Sequence, residues 1–85
     1  MRIFHLIRKL DDPRAVATAG EQKRLGHQVA VLLLHDAVLS HLPYGVEVMA
    51  CADDTLARSA EGRYPTVDYD EIVKMISNAD RVIVW

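Results

Sequence analysis

Asp, Pro and Gly divide the chain into short apolar blocks whose spacing switches between strand-like and helix-like. Branched and aromatic residues from Arg2 to Ile7 predict a first strand, which meets Asp11-Asp12-Pro13, a helix start with Pro near its first position. Val16 and Ala19 give a weakly amphipathic, small-residue helix from Pro13 to Leu25. Lys23 and Arg24 in its last turn and Gly26 beyond it mark the stop. The nearly continuous apolar run from His27 to Leu34 predicts a strand buried on both faces, central or near-central in a parallel sheet.

Asp36 is a candidate cap for a short helix from Ala37 to Leu42, closed by Pro43-Tyr44-Gly45. Gly45 to Ala50 predicts a third strand with Cys51 at its end, and Asp53 or Asp54 can cap a helical turn through Thr55-Leu56-Ala57-Arg58. Glu61 to Pro65 reads as a loop. Asp68 opens the last helix, with Glu71 three residues on in capping-box fashion, an apolar face of Ile72, Val73 and Ile76, and Asn78 as its stop. Arg81 to Trp85 completes the chain as a fourth strand. Strands alternating with helices imply right-handed crossovers, hence an α/β fold with helices on the faces of a parallel sheet. The expected architecture is a small, three-layer, flavodoxin-like domain with four strands in the order 2-1-3-4.

The 85 residues make one domain, residues 1–85, with one modest core. Ile, Leu, Val and Phe number 25 and the net charge is only -2, so the chain is of the folding class. Ten basic against twelve acidic residues exclude the positive field of a non-specific nucleic-acid binder, and no direct DNA binding is expected. Residues 1–44 carry six basic and four acidic groups and residues 45–85 four and eight, an asymmetry that suits self-association. The longest apolar run, Val29 to Leu34, is far short of the ~20 residues of a membrane span. One cysteine and the absence of a leader-like N-terminal stretch make a cytoplasmic location the expectation.

Reactive groups in open parallel sheets gather beyond the carboxyl ends of the strands. Three candidates map there: the Arg8 to Asp12 loop, His35-Asp36, and Cys51 with its turn. Cys51 at a strand-to-helix junction is the chain's one soft nucleophile, although a single Cys beside Met49 and Ala50 is most often a small buried hydrophobe. Asp53 and Asp54 place negative charge nearby, so reactivity calls on Arg58, His35 or Arg8. His35 is a candidate proton shuttle, and Asp36 as a helix cap explains the pair without chemistry. The histidines His5, His27, His35 and His41 form no metal-ligand spacing with the lone Cys. No glycine-rich phosphate cradle is present, and the acids do not fall where a phosphoacceptor domain needs them, so no cofactor and no metal are expected. Arg58, Arg63 and Tyr64 read either as a basic and aromatic patch or as solvated loop residues. Trp85, large for so small an interior, either packs on the last helix or sits at a subunit interface.

Four stretches together resemble the DsrE/DsrH-like sulfur-relay family, most closely its small DsrH or TusB branch, over nearly the whole chain. They are Met1 to Leu6, Leu33 to Val38, the run Val46 to Arg58 with its Asp-Asp-Thr-Leu-Ala-Arg turn, and Val67 to the Trp85 end. The resemblance implies a flavodoxin-like subunit of a homo- or hetero-oligomer, working beside homologous DsrE/DsrF-like chains or itself. It implies passage of persulfide sulfur between donor and acceptor proteins, toward tRNA 2-thiouridine or in sulfur oxidation. In DsrE-type chains the sulfur carrier is a Cys after the third strand, the place Cys51 holds here; from the residues themselves, Arg58 and the helix N-terminus are the candidates to stabilise its anion and His35 to manage protons. DsrH/TusB-type chains commonly carry an aliphatic residue there and act as structural subunits. Ser59 and Ala37 also stand where the family often has Gly. The alternative function is therefore a non-catalytic scaffold that binds homologous chains. A third possibility is a small-molecule binder at the carboxyl-edge crevice.

Overall fold

The computed structural model describes residues 1–41 and 44–85. They form β1 (Arg2–Ile7), α1 (Pro13–Arg24), β2 (Gln28–Leu33), a 3-10 helix (His35–Leu39), β3 (Glu47–Cys51), α2 (Ala52–Ala57), β4 (Thr66–Val67), α3 (Tyr69–Asn78) and β5 (Arg81–Val84). All the strands pair in parallel, in the order β4-β3-β2-β1-β5. β2 is central, as its unbroken apolar run predicts.

This order corrects the expected four-stranded 2-1-3-4 sheet. The strand from Glu47 pairs with β2 rather than with β1, and a fifth strand, β4, adds to β3 through Ala50↔Thr66 and Cys51↔Val67. Among its described residues the link from β2 to β3 holds a short 3-10 helix, β3 lies beside β2, and the chain continues in the same direction to β4. α3 then carries the chain back across the opposite face to place β5 beside β1. Both directions of travel keep the right-handed crossover, because the covering helices change face when the direction reverses.

The period-two alternation of the strands sorts the core into two layers. Ile3, Ile7, Val29, Val31, Leu33 and Ala50 face α1 and the 3-10 helix, where Ala15, Ala19, Ala37 and Val38 meet them. Ala15 and Ala19 are fully buried and leave room for close helix–sheet approach. Phe4, Leu32, Met49 and Val67 face α3 and its Ile72. Each large side chain fully buried here contributes about 1.5–3 kcal/mol by removal from water.

Capping follows the sequence at two helices. The Asp12 carboxylate accepts from the N–H groups of Arg14 and Ala15 with Pro13 at the first helical position, and Asp68 with Glu71 forms a complete capping box on α3. Gly26, at φ +94, takes the left-handed conformation that ends α1. Two expected caps are corrected. The 3-10 helix begins at His35 after Leu34, so Asp36 lies inside its first turn. α2 begins at Ala52 after Cys51, with Asp53 and Asp54 in its first turn. The expected end of the short helix at Leu42 and Pro43 falls outside the described residues.

Candidate functional site

Cys51 closes β3 and is the residue before α2, with extended backbone (φ -63, ψ 126). Its position in the alternation turns it to the α3 face, where it packs partly buried beside the cluster of Phe4, Leu32, Met49, Val67 and Ile72. A pocket of about 280 Å³ opens over it, lined by Cys51, Asp53, Val67, Asp68, Tyr69 and Asp70. The short β4 and the start of α3 form the far wall. Three carboxylates and no cation line this pocket, and the Asp68 carboxylate is already engaged by the Glu71 N–H at 2.8 Å.

His35 and Arg58 come together with each other, and neither lines the Cys51 pocket. His35, at φ +49, sits in the left-handed region at the end of β2, and its N–H donates to Asp54 Oδ2 at 2.9 Å. Arg58 Nε donates to Asp36 Oδ1 at 3.1 Å, while its Nη1 lies 3.7 Å from Asp54 Oδ1. This network ties the start of the 3-10 helix to α2. Its carboxylate from Asp36 is largely exposed, so its value to stability is small.

The loop after β1 is held against the same edge. The Asp11 N–H donates to Ser40 Oγ at 3.0 Å, and Asp11 Oδ1 accepts from the His41 N–H at 2.7 Å. Tyr64 donates its hydroxyl to the Ser40 carbonyl at 2.6 Å, and Arg63 Nη1 donates to the Leu39 carbonyl at 3.3 Å. Arg63 and Tyr64 thus fasten the loops, and burial pushes the Tyr64 phenol above its ordinary range. Arg58 belongs to the separate network on α2.

One polar group escaped the sequence reading. His5 is fully buried on the α1 face between Gln22 and Trp85. Trp85 Nε1 donates to His5 Nδ1 at 2.9 Å, and His5 Nε2 lies 2.6 Å from Gln22 Oε1. An indole N–H only donates, so Nδ1 is the acceptor and the ring is the neutral Nε2–H tautomer, donating to Gln22. Burial holds the His5 pKa below its ordinary value, with the Gln22 bond opposing. The signal lay in the alternation, since His5 shares its strand face with Ile3 and Ile7. Trp85 packs on this layer and not on the last helix.

Among the described residues no group of three or more His, Cys, Asp or Glu side chains is placed to hold a metal ion, and no helix is long and apolar enough to cross a membrane. No protein-family model and no curated protein sequence matches the chain. Among solved structures, the crystal structure of the ychN protein from E. coli superposes on all of this chain and 99% of its own, with a TM-score of 0.80 and 13% sequence identity. At that identity the likeness shows a shared fold.

Proposed function

We propose that the chain is a small subunit of a sulfur-relay assembly in which Cys51 carries persulfide sulfur. The observation that carries this reading is Cys51 at the carboxyl end of β3, opening on a pocket at the edge where parallel sheets place their reactive groups. The resemblance of four stretches to DsrE/DsrH-like chains and a fold shared end to end with the ychN protein support it.

In the loading step the Cys51 thiolate attacks the outer sulfur of a donor persulfide, R–S–SH. The new S–S bond forms as the donor's S–S bond breaks, and the donor leaves as a thiolate that takes up a proton. An acceptor thiolate then attacks the outer sulfur of Cys51–S–SH and releases Cys51. No net oxidant is consumed. A lone cysteine suits such a carrier, because no second thiol of the chain can collapse the persulfide into an internal disulfide. The pocket wall supplies carboxylates and no cation, so in this reading the partner brings the positive charge that steadies the sulfur anion.

A second reading is favoured by the engagement of Arg58 with Asp36 and Asp54: a scaffold subunit whose Cys51 is packing. Iodoacetamide on the native chain separates the two. The carrier reading expects Cys51 to alkylate in the folded protein, and the scaffold reading expects alkylation only after unfolding.

A further inference from the structure

The outer edge of β5 is a four-residue strand edge with nothing paired to it among the described residues, and its sheet face is only partly covered. On the α3 side Val82 is 38% and Val84 61% exposed. Val73 and Ile76, also exposed, lie on the flank of α3 away from Met75 and Asn78, which line the opposite groove. Edges of this kind are commonly blunted by Pro or charged side chains, and β5 carries one such residue, Arg81 at its start, with none from Val82 to Val84.

The backbone alternation of the strand is fixed by one bond. The Trp85 N–H donates to the Leu6 carbonyl at 2.9 Å, so Ile83 and Trp85 turn their peptide groups toward β1. Val82 and Val84 turn theirs outward. We propose that β5 pairs antiparallel with β5 of a second copy of this chain, about a two-fold axis at Ile83, joining two five-stranded sheets into one.

The strand itself selects a second copy. Arg81-Val82-Ile83-Val84-Trp85 is self-complementary when read antiparallel about Ile83. Val82 faces the second copy's Val84, and these two positions carry the outward peptide groups, so each pair exchanges both N–H···O=C bonds. On the α3 side the exposed valines become cross-strand branched pairs. On the α1 side Ile83 meets Ile83, and Arg81 stands across from Trp85, a guanidinium beside an indole. Centring the axis on Val82 would set Arg81 against Ile83, whereas the Ile83 register sets branched residues against branched residues and Arg81 against the Trp85 indole. The pairing is independent of whether Cys51 carries sulfur.

Sedimentation velocity of the full chain across low- to high-micromolar concentrations tests the pairing. The wild type is expected to dimerise reversibly. Val84→Lys, at an exposed position, is expected to keep the far-UV circular dichroism and to weaken dimerisation by ~100-fold or more, by placing a gatekeeper charge on the edge. The register is read in a Cys51→Ser background. Ile83→Cys should give a disulfide-linked dimer on mild oxidation, because non-hydrogen-bonded antiparallel pairs bring Cα atoms to about 4.5 Å. Arg81→Cys should not, because its two copies fall roughly 14 Å apart along the strands, beyond bridging reach. A wild type monomeric throughout overturns the proposal. So does a Val84→Lys dimer of unchanged affinity, cross-linking at Arg81→Cys equal to that at Ile83→Cys, or association that requires a different chain.

Discussion

Trp85 at the end of the chain donates its indole N–H to Nδ1 of His5, in the first strand, at 2.9 Å, with the two rings 6.1 Å apart and 24° from parallel. The bond closes the sheet across eighty positions of sequence and makes the imidazole a fixed part of the core rather than a titrating surface group. Both ring nitrogens are used, one accepting and one donating.

Acid should therefore loosen the fold through His5. The ring is neutral when folded and burial sets its pKa below the ordinary value of 6.5, so the unfolded chain takes up a proton first. The stability this group contributes is complete above about pH 6.5 and is lost as pH falls through 6.5 toward the folded value. Thermal melts from pH 8 to pH 5 should show a larger fall for the wild type than for His5→Gln. Superimposable profiles would contradict the assignment.

Trp85→Phe keeps most of the packing and removes the donor, leaving Nδ1 of a buried ring unpaired. The expected loss is about 1–3 kcal/mol, read from urea midpoints at pH 7.5. A change within a few tenths of a kcal/mol would show that the bond contributes little.

Arg58→Gln should cost about 1 kcal/mol, since Asp36 is largely exposed while Arg58 and Asp54 are half-buried. It should leave the alkylation rate of Cys51 unchanged, because the guanidinium is committed to the other side of α2. A rate lowered tenfold would place Arg58 in the thiol's chemistry.

The capping box of α3 offers a local check. Asp68→Ala removes the acceptor of the Glu71 N–H and should cost about 1 kcal/mol. Because Asp68 also lines the Cys51 pocket, the same variant removes one of its carboxylates and reports on their effect at the thiol.

Local signals carried much of the architecture. Asp12 before Pro13, Gly26, and Asp68 with Glu71 mark their helix ends by chemistry that acts within one turn, and the structure uses each of them. The apolar run of β2 announced its central place. Strand order was not legible, because the side on which β3 lands depends on the length and face of the link from Leu34 to Val46. β4 is two residues long, too short to show any period. At the site, the place of Cys51 at a strand end was readable, but the partners of Arg58 were not: Asp36 lies twenty-two residues away and meets it only through the packing of α2 on the 3-10 helix. His5 shows the converse case, a polar residue whose strand parity marked it as internal while its partners, Gln22 and Trp85, came from distant elements.

Intact mass reads persulfide loading of Cys51 without any other subunit present. The purified chain would be incubated with a cysteine desulfurase and cysteine, or with polysulfide, and weighed with and without reductant. The expected result is a gain of one sulfur that reductant removes and that Cys51→Ser lacks. No gain under conditions that load a known DsrE-type subunit, or an equal gain in Cys51→Ser, would contradict it.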